Sequence, residues 1–303
     1  MKQLVILSGK GGTGKTSVAA AFAHLAAISN SSIRTVLADA DVDASNLELI
    51  LKPQLLEDHE FIGGKTAVII DDLCSYCGVC KDVCRFDAIH VLSGKYEVNP
   101  LSCEGCAACF YQCPEEAIKM EPQLAGHWFH SDSRHGPLFH AALRPGQENS
   151  GKLVMKVKHE ARSFAVDQEC DLMIVDGPPG IGCPVISAVS GADLALIVVE
   201  PSIAGVHDMQ RVLETVNHFD IRSLVCINKA DIFLEGADAI RKYCKEKGVD
   251  IVGDIPFDST VTDAMVNGKA ITEYDPNAHA SQAMREIWSE IKAQLNLLIV
   301  EIE

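Results

Sequence analysis

The stretch SGKGGTGKTS, residues 8–17, decides the fold of this chain. Residues 9–16 within it fit G-x-x-x-x-G-K-[ST], a pattern whose glycines turn consecutive backbone N–H groups toward phosphate oxygens. An apolar run precedes the pattern and a helical pattern follows it, which is the context that a phosphate-binding loop requires. The sequence therefore predicts that Lys15 reaches the β- and γ-phosphates of a nucleotide and that the Thr16 hydroxyl binds Mg²⁺.

The whole loop is expected to contact the nucleotide, because the helix that follows presents its positive N-terminal end to phosphate. The nucleotide-binding residues expected here are Gly9, Lys10, Gly11, Gly12, Thr13, Gly14, Lys15, Thr16 and Ser17.

The composition excludes several function classes. The chain has 303 residues, and its 26 Lys and Arg against 42 Asp and Glu give a net charge of −16. This balance argues against nucleic acid as a main partner, because phosphate backbones bind basic surfaces. No apolar stretch approaches the roughly 20 residues that span a bilayer. The short apolar N-terminus ends in the glycine loop, which predicts a first strand and no signal peptide. We therefore expect no stable membrane insertion and a cytoplasmic location.

Short apolar runs alternate with helical patterns along most of the chain. Predicted strands lie at residues 3–7, 33–38, 171–175, 193–199, 222–227 and 250–253, and predicted helices at about 15–28, 204–218, 234–247 and 280–299. Such alternation predicts an α/β fold with a doubly wound, mostly parallel sheet. The alternation breaks between about residues 55 and 160, which indicates an insertion. Residues 1–62 and 124–303 are predicted to form the nucleotide-binding domain, and residues 63–123 the inserted domain.

Two cysteine-rich segments lie in the predicted insertion, CSYCGVCKDVC at residues 74–84 and CEGCAACFYQC at residues 103–113. They contain eight of the twelve cysteines, and the second segment repeats the first 29 residues later. In a cytosolic chain this spacing indicates metal binding and not disulfides. Zinc is one candidate, since C-x₂-C pairs suit tetrahedral sites. Eight cysteines at two identical spacings favour iron–sulfur clusters.

The doubled C-x₂-C-x₂-C-x₃-C pattern resembles that of bacterial ferredoxins with two [4Fe–4S] clusters. The resemblance implies an α+β ferredoxin domain in which the fourth cysteine of each segment ligates the other cluster. The first cluster is then expected on Cys74, Cys77, Cys80 and Cys113, and the second on Cys103, Cys106, Cys109 and Cys84. Two such clusters would form an electron relay.

Lys10, a second lysine early in the glycine loop, resembles the deviant Walker A motif of the MinD/ParA/nitrogenase iron protein class. Four further segments occur in the order of that class: DADVDASN at 39–46, LMIVDGPPG at 172–180, INKAD at 227–231 and IPFD at 255–258. The chain thus resembles a P-loop NTPase of the SIMIBI/MinD-like group with an inserted ferredoxin domain. The resemblance extends over nearly the whole chain and implies that the nucleotide is ATP or ADP.

The resemblance implies roles for individual residues. Lys10 would reach the phosphates of the partner subunit in a nucleotide-sandwiched dimer, and Asp41 would position the attacking water. Together with Lys15 and Asp39, these two residues form the expected catalytic set. The expected Mg²⁺ site consists of Thr16, Asp39 and Asp176.

On the base side, Asn228 resembles the residue that hydrogen-bonds adenine, and Pro256 belongs to the loop beside the base. Asn46 would close the first switch segment, residues 39–46. The implied assembly is a homodimer, or a heterodimer with a similar ATPase.

The stretch between the insertion and Asp176 is harder to interpret. Alternating apolar residues at 153–157 predict a strand that enters a hairpin. Four histidines could form a metal or substrate site, but their irregular spacing and the lack of an accompanying carboxylate favour loop and strand-edge positions. These are His127, His130, His135 and His140.

Cys183 lies seven residues after Asp176, and the nitrogenase iron protein carries a cluster-ligating cysteine at the same offset. That arrangement needs a second cysteine from each subunit, and no obvious one is present. We therefore expect a small buried thiol, with an intersubunit cluster as the alternative.

Three functions fit these observations. The first, which we predict, is an ATPase in which ATP-driven dimerisation controls electron transfer to an unknown redox or iron–sulfur partner protein. The second is a cluster assembly or carrier ATPase, although Cys226 and Cys244 do not form the C-terminal C-x-x-C of such scaffolds. The third is a MinD- or ParA-like positioning factor that uses its clusters as a redox sensor. The acidic C-terminal segment KAQLNLLIVEIE argues against binding to anionic membranes.

Overall fold

The computed structural model describes residues 1–29, 33–147 and 149–297. The strands are β1 (Lys2–Ser8), β2 (Thr35–Asp39), β3 (Gln54–Ile69), β4 (Ile89–Leu92), β5 (Lys95–Val98), β6 (Ile118–Ser133), β7 (Gly136–Leu143), β8 (Leu172–Pro179), β9 (Leu194–Val199), β10 (Ser223–Asn228) and β11 (Asp250–Ile255). The helices are α1 (Lys15–Ala27), α2 (Leu47–Leu51), α3 (Val79–Asp82), α4 (Ala108–Gln112), α5 (Ser150–Asp167), α6 (Cys183–Val189), α7 (Ile203–Asn217), α8 (Leu234–Lys247), α9 (Thr260–Val266), α10 (Ile271–Tyr274) and α11 (His279–Gln294).

The chain divides into two compact units. The first unit contains Met1–His59, Trp128–Ala142 and Ser150–Glu303, and the second contains Glu60–His127 and Leu143–Asn149. The insertion predicted at residues 63–123 lies within the second unit.

A nine-stranded sheet has the order β11-β10-β9-β1-β8-β2-β7-β6-β3. The first strand, β1, is parallel to both of its neighbours, β8 and β9, and β2 and β10 are parallel to their partners as well. Because the carboxyl ends of parallel strands meet at one edge, the loops after β1, β2, β8 and β10 gather there. This parallel sheet confirms the predicted α/β fold.

The core of the first unit is built around α1. This helix is rich in alanine, and its residues from Val18 to Ala26 are buried on every face. Small side chains let the helix lie close to the sheet, and the ring of Phe22 lies 5.1 Å from that of Trp288 on α11. A well-packed helix of this kind fixes the position of the loop that precedes it.

The second unit repeats its backbone conformation every 29 residues, as its cysteines do in the sequence. Left-handed backbone angles recur in three matched pairs: Tyr76 and Gly105, Gly78 and Ala107, and Asp87 and Glu116. The matched helices α3 and α4 each contribute one buried cysteine, Cys80 and Cys109. These thiols pack with Ala67, Ile89 and Ile118 in one apolar cluster.

Residues 150–167 form helix α5, so the strand predicted at residues 153–157 is wrong. The buried residues of α5 include Leu153, Val154, Val157 and Ala161. This spacing of three to four residues is the period of a helix, whereas the alternation covered only five residues. Met155, which fits the alternating pattern, is 61% exposed.

The last predicted helix, 280–299, corresponds to α11 up to Gln294, while residues 298 and 299 lie outside the described residues. Within the described ranges, no helix combines the length and the apolar content of a membrane span.

Candidate nucleotide site and cysteine cavities

The glycine loop connects the end of β1 to the start of α1. Gly14 has φ of 96°, in the left-handed region, and a Cβ there would lie 2.3 Å from Nδ2 of Asn228. Only glycine fits such a position without displacing its neighbour. Asn228 Nδ2 donates a hydrogen bond to the Thr13 carbonyl at 2.7 Å. The side chain of Asn228, at the end of β10, thus holds the backbone of the glycine loop in place.

The loop forms one side of a cavity of about 670 Å³, a size that accommodates a nucleotide. Lys15 and Thr16 lie at its polar end, whereas Pro256, Phe257 and Met265 provide apolar surface for a base. The predicted site residues that line this cavity are Gly11, Gly12, Gly14, Lys15, Thr16, Ser17, Asp41, Asn46, Asn228 and Pro256.

Two fully buried carboxyl groups, Asp39 at the end of β2 and Asp176 within β8, face each other in the sheet register. Asp39 accepts hydrogen bonds from Ser45 Oγ at 2.7 Å and from the backbone N–H of Leu47 at 3.0 Å. Burial raises the pKa of Asp39 to about 6, although these hydrogen bonds oppose the shift.

Neither carboxylate oxygen of Asp176 accepts a hydrogen bond of regular geometry among the described residues, although the Thr16 side chain lies close enough to lower its pKa. Burial, and then the neighbouring Asp39, raise the pKa of Asp176 well above its usual value, while Thr16 and Lys15 oppose the shift. A buried carboxylate without a partner is costly unless a cation binds it. The group therefore fits the expected Mg²⁺ site, which Thr16 and Asp39 would complete.

Asp41 and Asn46 lie on the turn that follows β2. Burial raises the pKa of Asp41, and the ammonium of Lys15 opposes the shift. Asn46 Nδ2 donates to the Ala44 carbonyl at 2.8 Å, which closes the turn just before α2. The turn thus places a carboxylate at the cavity wall, as its proposed role with water requires.

Lys10 does not line the nucleotide cavity. It lies in a separate cleft with Glu200 and Asp208, and its Nζ is 3.1 Å from Glu200 Oε2. Glu200 and Lys229 were not among the predicted site residues. They come from two later strand ends, so only the parallel sheet brings them to the loop.

The eight clustered cysteines line two separate cavities in the second unit. One is lined by Cys74, Cys77, Cys80 and Cys113, and the other by Cys84, Cys103, Cys106 and Cys109. Each cavity therefore combines three cysteines of one segment with the last cysteine of the other. Four thiols per cavity are the ligand type and number of a [4Fe–4S] cluster. In the described part of the chain, no three or more His, Cys, Asp or Glu side chains are placed so that they could together bind a single metal ion.

Equivalent cysteines of the two cavities have equivalent surroundings. The sulfur of Cys84 accepts a hydrogen bond from the backbone N–H of Ala88 at 3.4 Å, and that of Cys113 from the N–H of Ala117 at 3.3 Å. Such N–H···S bonds stabilise thiolates and raise the potential of a bound cluster. One cysteine of each cavity, Cys77 or Cys106, is exposed. Each cavity thus has one thiol at the surface.

Among the four histidines, His130, His135 and His140 do lie beside a glutamate, contrary to the expectation from sequence. His135 Nε2 lies 3.2 Å from Glu273, and His140 Nδ1 lies 3.0 Å from Glu48. Both glutamates are distant in the sequence, which is why no partner was visible there. His140 also bonds Ser131 through Nε2 at 3.0 Å, but Ser131 is only 1% exposed. This chain of hydrogen bonds therefore ties α2 to β6 and β7 and offers no accessible nucleophile.

Cys183 is exposed, so the expectation of a buried thiol is wrong. The residue begins α6, directly after the turn that follows Asp176. Its side chain is therefore held at the surface by a helix start, a position that the apolar sequence around it did not indicate.

Comparison with known proteins was made at the levels of family, sequence and structure. The family model described as the CobQ/CobB/MinD/ParA nucleotide-binding domain matches residues 4–271. An uncharacterized protein of Methanocaldococcus jannaschii is 36% identical over 290 residues, which are 96% of each chain. The septum site-determining protein MinD of Bacillus subtilis is 26% identical over 292 residues, 94% of this chain and 86% of that protein.

Two further matches differ in extent. An iron–sulfur cluster carrier protein of Pyrococcus furiosus is 27% identical over 159 residues, 48% of this chain and 53% of that protein. Among solved structures, MinD of Pyrococcus horikoshii OT3 in complex with Mg-ADP superposes with a TM-score of 0.58 at 17% identity, and the match covers 96% of this chain and 95% of that one. At that identity the similarity establishes the fold.

Proposed function

The chain belongs to the CobQ/CobB/MinD/ParA nucleotide-binding domain family. From this membership and from its two cysteine cavities we propose an ATP-hydrolysing iron–sulfur protein. Its nucleotide state controls electron transfer through two [4Fe–4S] clusters. The observation that carries the proposal is the pair of cysteine cavities, each lined by three cysteines of one segment and one of the other. Family membership alone accounts for the nucleotide site and not for these eight thiols.

On the nucleotide side, the buried groups of the chain have distinct tasks. Lys15 binds the β- and γ-phosphates, and Asp41 orients the attacking water. Thr16, Asp39 and Asp176 hold Mg²⁺, which neutralises charge on the phosphates. The unpartnered carboxylate of Asp176 supports this assignment. Lys10 acts on the partner subunit's nucleotide, so hydrolysis requires a dimer.

On the redox side, the clusters supply one-electron transfer. The chain provides their thiolate ligands and the N–H···S bonds to Cys84 and Cys113. The exposed ligands Cys77 and Cys106 support electron exchange with a partner protein. Control by nucleotide is supported by chain order, since the cysteine segments follow Asp39 and precede Asp176. Segments that contact a γ-phosphate, as those containing Asp39 and Asp176 are proposed to do, change conformation when that phosphate is lost.

Metal content tests the proposal directly. Protein purified without oxygen should contain about eight iron atoms per chain, four for each cluster. Cys84→Ala and Cys113→Ala should each lose about half of this iron, because each removes a ligand from one cavity. Cys170→Ala, outside both cavities, is the control and should retain all of it. Two zinc atoms and no iron would contradict the proposal.

A second candidate function is cluster delivery. The iron–sulfur cluster carrier protein of Pyrococcus furiosus supports it, although that similarity covers about half of each chain. A carrier would give up its clusters to an apo-acceptor when ATP is added, whereas a redox protein would keep its iron through many cycles of oxidation and reduction. Iron retained by the chain after incubation with an apo-ferredoxin distinguishes the two.

A further inference from the structure

Lys10 lies against an acidic residue of its own protomer. Its Nζ is 3.1 Å from Glu200 Oε2 and donates a hydrogen bond to Ser202 Oγ at 3.4 Å. The other oxygen of Glu200, Oε1, accepts a hydrogen bond from Lys229 Nζ at 3.0 Å. One carboxylate thus joins the lysine of the glycine loop to a lysine of the nucleotide cavity.

The backbone of Glu200 is fixed by its surroundings. The residue follows β9, which pairs with β1 up to Leu7, so Glu200 and the glycine loop leave the sheet side by side. Ser202 caps α7 by accepting a hydrogen bond from the N–H of Gly205 at 3.0 Å. A Cβ on Gly205 would lie 2.2 Å from the Glu200 carbonyl, so the helix start packs tightly against it.

The contact is a charged one. Burial alone would raise the pKa of Glu200, but the hydrogen bonds from Lys229 and Lys10 lower it overall. The carboxylate is therefore ionised at neutral pH. The three side chains are 26–37% exposed, so water screens the pairs only in part.

The two lysines differ in their access to nucleotide. Lys229 lines the nucleotide cavity, whereas Lys10 does not. For Lys10 to bind a phosphate of the partner subunit, its ammonium must leave Glu200. A phosphate group carries more negative charge and more acceptor oxygens than one carboxylate, so it competes well for the ammonium.

We propose that Glu200 is a positioning residue that holds Lys10 on its own protomer until a phosphate in the partner subunit displaces it. The inference rests on the proposed function, because it takes the phosphate in trans as the competing group. Glu200 then sets the nucleotide concentration at which the dimer forms, and it prevents Lys10 from acting before a partner is present.

Chemical labelling of Lys10 tests the contact without any dimer. Nucleotide-free protein purified anaerobically, at a concentration where it is monomeric, is treated briefly with an amine-acetylating reagent and analysed by mass spectrometry. Glu200→Gln should increase the rate of Lys10 labelling about two- to fivefold, because loss of the ion pair frees the amine. Glu246→Gln, at an exposed position on α8, is the matched control and should leave the rate unchanged. An unchanged rate in Glu200→Gln would overturn the inference.

Dimerisation tests the consequence. In sedimentation with a non-hydrolysable ATP analogue, Glu200→Gln should dimerise at about two- to fivefold lower nucleotide concentration than the wild type, and Lys10→Ala should remain monomeric. Equal or higher concentrations for Glu200→Gln would overturn the inference. If the wild type itself never dimerised, the proposed function would fail, while faster labelling of Lys10 in Glu200→Gln would still support its positioning by Glu200.

Discussion

Asp176 shows at the scale of one residue how a binding site costs stability. Its carboxylate is fully buried, lies beside Asp39 and has no hydrogen-bond partner among the described residues. The native chain must therefore either bury a charge or take up a proton, and both are unfavourable at neutral pH. A bound cation removes this penalty, so the same group that weakens the empty protein strengthens the loaded one.

Asp176→Asn should separate these two effects. The free energy of unfolding without nucleotide should rise by about 1 kcal/mol or more, since each unit of upward pKa shift corresponds to about 1.4 kcal/mol. The additional stability that Mg-ATP confers on the wild type should largely disappear. Urea unfolding at pH 7, with and without Mg-ATP, measures both quantities. A variant that is less stable than the wild type without ligand, yet equally stabilised by Mg-ATP, would contradict the assignment.

The residues of this site divide by how the sequence encodes them. Lys15, Thr16 and Asp176 belong to continuous motifs that include or follow strands, so their positions in the fold were predictable. Glu200 follows one strand and Lys229 another, and the ion pairs that join Lys10, Glu200 and Lys229 rest on distances that no local sequence pattern records.

At the scale of elements, Lys158 connects helix α5 to helix α6, which follows the strand that contains Asp176. Its buried ammonium donates hydrogen bonds to the carbonyls of Ser187, Ala188 and Ser190 at 2.6–2.9 Å. These carbonyls end helix α6, where unpaired acceptors and the negative end of the helix dipole favour a cation. Lys158 therefore anchors the C-terminal end of α6 to α5.

Lys158→Met should destabilise the chain by about 2–4 kcal/mol near pH 7, because three buried carbonyls lose their donor. Burial, and then Arg162, lower the pKa of Lys158 from 10.5 to about 8. Between these values the unfolded chain binds more protons than the native one, so the stability of the wild type relative to the variant should rise with pH. Chemical unfolding of both proteins from pH 7.5 to 10.5 measures the difference. A difference that stays constant or falls would contradict the lowered pKa of Lys158 in the native chain.

Element prediction succeeded where one period extended over a long stretch. The strand before the glycine loop, β1, and the strand that contains Asp176, β8, begin as continuous apolar runs, and both occur where the sequence predicts them. Helix α5 was missed because Leu153, Met155 and Val157 fit an alternating pattern by chance, and the buried positions Val154 and Ala161 that reveal a helical face lay partly outside that window.

At the scale of the whole molecule, each of the two units carries its own repeat or motif in the sequence. The cysteine repeat at 29 residues reappears in the backbone, where the left-handed residues Gly78 and Ala107 begin equivalent helices. Neither the sequence nor one structure can establish the proposed coupling between nucleotide and clusters, since coupling is a difference in free energy between states. It must be measured on the intact chain with both sites occupied.

Cluster potentials recorded with ADP and with a non-hydrolysable ATP analogue should therefore differ. Linkage requires two free energies to be equal. One is the shift in cluster potential that a nucleotide causes, and the other is the difference in affinity for that nucleotide between the oxidised and the reduced protein. A tenfold difference in affinity corresponds to about 59 mV for a one-electron couple. Lys15→Ala, which should not bind the phosphates, is the control and should give one potential under all conditions. Redox titration followed by electron paramagnetic resonance yields the potentials, and binding of labelled ATP to oxidised and reduced protein yields the affinities. Equal potentials together with equal affinities would show that the clusters do not respond to nucleotide and would leave them a purely structural role.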